Sequence, residues 1–151
     1  MPRRRGIPVI VGVDRAMSLQ DRLLTAASHL LFASEQMQET AGINEDGKAL
    51  KRLARLTPAF IAATRGPLGT IWLNEAGAPE ETPAFPVQAV DTLGAGDVFH
   101  GAFTLRLAEA EGVWEALRFA AAAAALKCTR HGGGLAAPQR IEVQEFLRNR
   151  P

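Results

Sequence analysis

The sequence predicts an α/β fold: a mostly parallel sheet flanked by helices on both faces. Three observations carry this. The runs 7–13, 29–33 and 60–64 are nearly continuous in apolar residues, as strands covered on both faces are. Segments with helical spacing separate these runs, and strands alternating with helices build parallel sheets. The chain has 151 residues, a length that suits one compact domain around one core.

The elements follow in order. Ile7-Pro8-Val9-Ile10-Val11-Gly12-Val13 reads as a buried strand, and 19–27 as a short helix. His29-Leu30-Leu31-Phe32-Ala33 is the second strand. Ser34 is placed to cap a helix to about Thr40, which Gly42 stops. Asn44 is placed to cap a helix to Leu56, with Ala49, Leu50, Leu53 and Leu56 at helical spacing. Phe60–Thr64 is the third strand and Thr70–Asn74 a short fourth, with a turn at 75–78. Pro79, Pro83 and Pro86 make the next stretch extended and place it at an edge. Long helices follow over 97–110 and 113–127, broken at Gly112. Gly132-Gly133-Gly134 is a loop, and 141–149 is a last amphipathic helix. The alanine run Ala120–Ala125 permits close backbone packing and reads as buried.

Composition excludes several classes. With 17 basic and 16 acidic residues the net charge is +1, so no global field draws nucleic acid or anionic lipid. No apolar run approaches the ~20 residues of a membrane span. Met1–Gly6 is basic, but Asp14 and Arg15 interrupt the short apolar run behind it, which makes a poor signal peptide. Cys128 is the single cysteine. It has no disulfide or zinc-site partner, which fits a cytoplasmic location.

The chemistry concentrates in Asp91-Thr92-Leu93-Gly94-Ala95-Gly96-Asp97. Gly94 and Gly96 allow a tight turn, and a helix begins directly after it. The first amides of a helix lack internal partners and carry partial positive charge, so they form an anion site. A carboxylate beside such a site opposes simple anion binding. It makes sense where Asp97 accepts a proton from an attacking hydroxyl while the amides steady a moving phosphoryl group. For a lone G-x-G-D, an aspartate capping a helix is the ordinary reading. No G-K-[S/T] is present for a Walker A loop, and Phe99 stands where a Rossmann motif needs its third glycine.

The longer string Asp91-Thr92-Leu93-Gly94-Ala95-Gly96-Asp97-Val98-Phe99 resembles the C-terminal signature D-T-x-G-A-G-D-x-F of the ribokinase/PfkB carbohydrate kinase family. The resemblance continues through His100–Phe103, Glu115–Ala120 and Lys127–Arg130. It covers nearly all of the chain but only the family's C-terminal half, and its flavour is ketohexokinase-like or sulfofructose-kinase-like. It implies a ribokinase-like fold, C-terminal part only, with residues 1–151 forming a partial domain. It also implies ATP-dependent phosphoryl transfer to a sugar, with Asp97 as general base and the Gly94, Ala95 and Gly96 amides as anion hole. Asp91 would tie down the loop, near a monovalent-cation site where members have one. ATP and magnesium are the implied cofactors, with potassium open.

Other segments gain meaning beside that resemblance. Thr64-Arg65-Gly66-Pro67-Leu68-Gly69 follows a strand at its C-terminal end, where open α/β sheets bind ligands. A simple β-turn is the bland alternative. The family's T-x-G-x-x-G segment, which contacts ATP, is matched by Thr64, Gly66 and Gly69. Cys128 lines the nucleotide pocket or is a buried small hydrophobe. Ser34 and Met37 depart from the family's N-x-x-E pattern, which puts the usual magnesium network in question. His29, His100 and His131 have no metal-ligand spacing, and Trp72 and Trp114 read as packing residues.

The resemblance further implies that the family's sugar-contacting half and lid are not represented in this sequence. Three functions remain open: a carbohydrate kinase in part, from a partial domain or a misplaced gene start; a non-catalytic nucleotide-binding or dimerisation module; and a nucleoside kinase. A small-molecule substrate is the expected partner, and an uncovered sheet edge leaves a homodimer open.

Overall fold

A computed structural model describes residues 7–150. The basic segment Met1–Gly6, and with it the signal-peptide reading, lies outside the described residues. The chain divides into two compact units. One comprises the described residues up to Arg65 together with Thr70–Glu81, and the other comprises Gly66–Gly69 and the residues from Thr82 onward. Each has its own cluster of buried apolar residues, where length alone suggested one core.

The first unit holds a mixed five-stranded sheet. Its strands β1 (Ile10–Val13), β2 (His29–Ala33), β3 (Phe60–Thr64), β4 (Thr70–Leu73) and β5 (Pro79–Thr82) lie in that spatial order. β1, β2 and β3 are parallel, with Val11 beside Leu30 and Leu30 beside Ile61. β4 runs antiparallel to β3 and sets Ile71 opposite Ala63. Only residues 65–69 separate those two strands, too few for the dozen or more that a parallel crossover needs. The proline-bearing segment at 79 is the edge strand, as expected from a residue that cannot donate to a ladder.

Helices α1 (Arg22–Ala26), α2 (Ser34–Ala41) and α3 (Asp46–Ala54) flank the sheet. Alternate strand residues Leu30, Phe32, Ile61 and Ala63 share one core with Leu24, Met37, Ala41, Ala49, Leu50 and Leu53. The intervening residues Leu31 and Ala62 are also buried. Burial at successive positions is the reason these strands are continuously apolar instead of alternating. On α3, the stripe Ala49, Leu50 and Leu53 is buried while Lys48, Lys51 and Arg52 are exposed, the separation an amphipathic helix requires.

Gly42 ends α2 in the left-handed conformation, with φ of 63°. The two expected N-caps are corrected. Ser34 is the first helical residue and Ala33 occupies the cap without a side-chain bond. The Ser34 hydroxyl instead donates to Asp46 Oδ1 at 2.5 Å, and Gln38 Nε2 donates to the same oxygen at 2.8 Å. Asn44 does not cap α3. Glu45 does, accepting from the amides of Gly47 and Lys48.

The second unit is built on α4 (Ala95–Ala108), α5 (Val113–Cys128) and α6 (Arg140–Arg148). Gly112 caps α5 at its start. Within the alanine run, Ala120, Ala122, Ala123 and Ala125 are buried, which bears out tight helix packing. Phe119, Ala122, Ala123 and Val143 form the second core, with Phe85, Val98 and Phe146 packed against it. An ion network ties the end of α4 to the start of α6. Arg106 lies 2.8 Å from both Glu109 and Glu111, and Arg140 pairs with Glu109.

Candidate active site

α4 begins two residues earlier than its spacing suggested, at Ala95, so the glycine turn leads straight into its first turn. Gly94 is the N-cap, with φ of 77°, and no side chain caps the helix. Thr92 accepts the Ala95 amide at 3.1 Å and Gly94 accepts the Val98 amide at 3.0 Å. The Ala95 N–H is therefore engaged inside the turn, which leaves it out of a simple anion hole. Among the described residues, the amides of Gly94, Gly96 and Asp97 have no acceptor. These donors at a helix start favour an anion. Gly96 and Asp97 are exposed, so the donors and the carboxylate are open to a ligand.

Asp91 fixes this turn. Its Oδ1 accepts from Leu93 N at 2.9 Å, and its Oδ2 accepts from Gly132 N at 3.1 Å and Gly133 N at 3.4 Å. The Lys127 ammonium lies 3.2 Å from Oδ2 and donates to the Asp91 carbonyl at 2.7 Å. The Leu93 amide, then Lys127 and the Gly133 amide, hold the Asp91 carboxyl well below the usual carboxylate range. The Cys128 carbonyl accepts the amides of Val90 at 2.8 Å and Asp91 at 3.2 Å. Cys128 thus meets the loop through its backbone, and its half-buried thiol is free.

The loop after α5 closes the other side. A Cβ on Gly94 would stand 2.8 Å from Gly134 N, so the two glycine segments touch backbone to backbone. Beside Asp97 lies a cavity of about 370 Å³, within the range of small-molecule sites. Gly101, Ala102, Leu105, Phe119 and Ala137 contribute its apolar wall, and Asp97 and Arg140 its charges. His100 follows Asp97 by three residues on α4. Burial lowers its imidazole pKa, and the Asp97 charge opposes that shift.

Thr64 ends β3, and its hydroxyl reaches the Phe32 carbonyl at 3.4 Å. Gly66 and Gly69 both have positive φ, at 55° and 87°. They bracket a single 3-10 turn, closed by Gly69 N donating to Gly66 O at 3.0 Å. Gly69 has a structural need of its own, since a Cβ there would stand 2.2 Å from the Thr82 carbonyl. Gly66 faces open space. Trp72 packs on Phe60, whereas Trp114 is half exposed beneath the Arg118 guanidinium.

Sequence reasoning gave Lys127 no role beyond its place at the end of the second long helix and in the resembling segment Lys127–Arg130. Its signal was phase: Ala116, Ala120, Ala123 and Lys127 lie on one helical stripe, and all four are buried. A lysine in that stripe needs a partner. The partner, Asp91, lies 36 positions away, where spacing gives no cue.

The mixed sheet of the first unit, and in the second a glycine turn that opens a long helix with a carboxylate in its first turn, define the class as α/β. Comparison with known proteins narrows this. The pfkB family carbohydrate kinase model matches residues 3–140. The ribokinase of Bacillus subtilis (strain 168) is 35% identical over 142 residues, covering 93% of this chain and 46% of its own length. The ribokinase of Arabidopsis thaliana, solved with ribose and ATP, superposes with a TM-score of 0.87 at 28% identity, over 96% of this chain and 49% of that one. A double mutant of the fructokinase from Vibrio cholerae O395, with fructose, ADP and a potassium ion bound, gives a TM-score of 0.76 at 25% identity, over 83% and 42%. The chain belongs to the pfkB family of carbohydrate kinases. It spans about half the length of the curated relatives it matches.

Proposed function

We propose that this chain carries the ATP-binding and phosphoryl-transfer end of a kinase that phosphorylates a sugar hydroxyl. The observation that carries the proposal is the start of α4, where the Asp97 carboxylate stands in the same turn as the unpartnered amides of Gly96 and Asp97. Asp97 takes the proton of the attacking hydroxyl. The amides, with that of Gly94, stabilise charge on the transferring phosphoryl group. Asp91 sets their geometry from behind the turn. Thr64, Gly66, Gly69 and Cys128 are the proposed nucleotide contacts, with the open space at Gly66 allowing close backbone approach.

Among the described residues, no group of three or more His, Cys, Asp or Glu could hold a metal ion. Magnesium does not need such a cage, because it binds through substrate phosphates, waters and one or two carboxylates. Bound with ATP, it would offset phosphate charge. The cavity beside Asp97 is too apolar to recognise a sugar alone. The polar sugar contacts therefore come from outside its lining residues.

Ribose is the first acceptor to test, because a ribokinase relative binds it with ATP. Fructose is the second. The test is ADP release and phosphate-ester formation by the protein carrying this chain, with each sugar and with a nucleoside. Transfer to a sugar supports the proposal. ATP binding without transfer to any acceptor favours the nucleotide-binding module, and transfer to the nucleoside alone favours the nucleoside kinase.

A further inference from the structure

The relative with a bound potassium ion raises the question of whether the Asp91 loop also takes a monovalent cation. The donors at Asp91 answer it. A cation at this loop would draw on the Asp91 carboxylate and carbonyl, the two acceptors of that residue. Both are already engaged by one ammonium: Lys127 Nζ donates to the carbonyl at 2.7 Å and lies 3.2 Å from Oδ2. The remaining contacts of the carboxylate are amides of Leu93, Gly132 and Gly133, donors that repel a metal ion. None of the Lys127 side chain is exposed, so its charge is committed to this contact. A metal ion placed at the same two oxygens would meet an ammonium at close range in a partly desolvated setting, which is unfavourable.

We propose that Lys127 is a built-in cation for the Asp91 loop, so that this chain sets its phosphate-binding turn without a monovalent metal ion. This deepens the function proposed above and rests on it for its consequence, cation-independent catalysis. The contact itself stands apart from that function. Lys127 is a positioning residue. It acts on Asp91, which in turn holds the Leu93 amide and the 132–133 backbone. The ammonium has three donors and two are accounted for. Its fixed covalent tether replaces what a mobile ion would supply from solution.

The test compares wild-type protein and Lys127→Met in buffers whose cation is potassium or tetramethylammonium, which is too large to enter the loop. The first readout is amide hydrogen exchange at Leu93, Gly132 and Gly133, which needs no catalytic activity. The second is ATP affinity. Wild-type protein is expected to show the same exchange and the same affinity in both buffers. Lys127→Met is expected to lose protection at those amides in tetramethylammonium by about tenfold or more, because Asp91 is left without its partner. Potassium is expected to restore much of that protection by filling the vacated place. A purely structural lysine would not produce such a rescue.

A rise in wild-type protection or affinity with potassium would overturn the proposal. So would a Lys127→Met protein whose loop is as protected as wild type in tetramethylammonium, or one that loses protection and is not rescued. If Lys127→Met does not fold, the potassium response of wild-type protein alone decides. Failure of ATP to bind at all would sink the proposed function, while the exchange readout would still judge the cation.

Discussion

Gly94 and Gly134 meet backbone against backbone, so close that a Cβ on Gly94 would lie 2.8 Å from Gly134 N and 3.2 Å from Gly133 C. Gly94 is also left-handed, with φ of 77°. Two independent constraints therefore demand glycine there: the dihedral and the neighbour. Gly94→Ala is expected to destabilise the protein by about 1–3 kcal/mol from the dihedral alone. The displaced 133–134 backbone should add a weaker grip on Asp91. Denaturant unfolding and ATP affinity check this together. A variant with unchanged stability and affinity would show that the two loops separate freely.

Asp97 is exposed at the first turn of α4, and among the described residues no hydrogen bond to its carboxylate holds the fold. Asp97→Asn keeps the size of the side chain and removes its capacity as a base. Turnover is expected to fall by a factor of about 10²–10⁴, with ATP affinity little changed. Stability should move by no more than about 0.5 kcal/mol, as for other exposed positions. Near-normal turnover would remove Asp97 from the role of base.

Leu50 is wholly buried in the first unit, in the α3 stripe that packs with Leu30, Phe32 and Ile61. Leu50→Ala is expected to cost about 2–5 kcal/mol, from lost transfer energy and the cavity left behind. Leu135 is a useful control, since it is wholly exposed. Leu135→Ala should fall within about ±0.5 kcal/mol. Equal effects at the two positions would contradict the assignment of this core.

What the sequence revealed, and what it hid, follows from the range of each interaction. Strands β2 and β3 were legible because two-sided burial demands an unbroken apolar run at 29–33 and 60–64, a purely local property; the run 7–13 misled in part, since β1 starts at Ile10, Ile7 is exposed and only Val13 of the strand is buried. Gly42 was legible because a left-handed stop favours glycine. Ser34 and Asn44 misled, because a capping preference is weak against a tertiary partner. Asp46 draws the Ser34 hydroxyl away, and the longer Glu45 reaches two amides that Asn44 does not. At the site, the signature 91–97 announced an anion site beside a carboxylate. It did not announce which amides stay open. The Ala95 N–H is spent on Thr92, a detail of the turn's closure. Lys127 was hidden for the opposite reason, since its meaning lies in a contact with a distant residue.

The Asp91 carboxyl gives a pH signature of the loop. The Leu93 amide first, then Lys127 and Gly133, depress its pKa in the folded protein. A carboxyl depressed by folding adds stability that is present above its unfolded pKa of about 3.9. That stability is lost as pH falls through the lower, folded value. Glu109 and Glu142 are shifted the same way, by Arg140 and Arg130 respectively, so acid destabilisation of wild-type protein alone does not isolate Asp91. The difference between wild type and Asp91→Asn does, because the other carboxylates are common to both. The stability gap is expected to be flat from pH 7 to about 5 and to narrow below about pH 4, as Asp91 takes up a proton and releases Lys127. Urea unfolding of the two proteins across that range measures the gap. A gap that stays constant to pH 3 would mean that the Asp91 carboxylate gains nothing from its amides and its lysine.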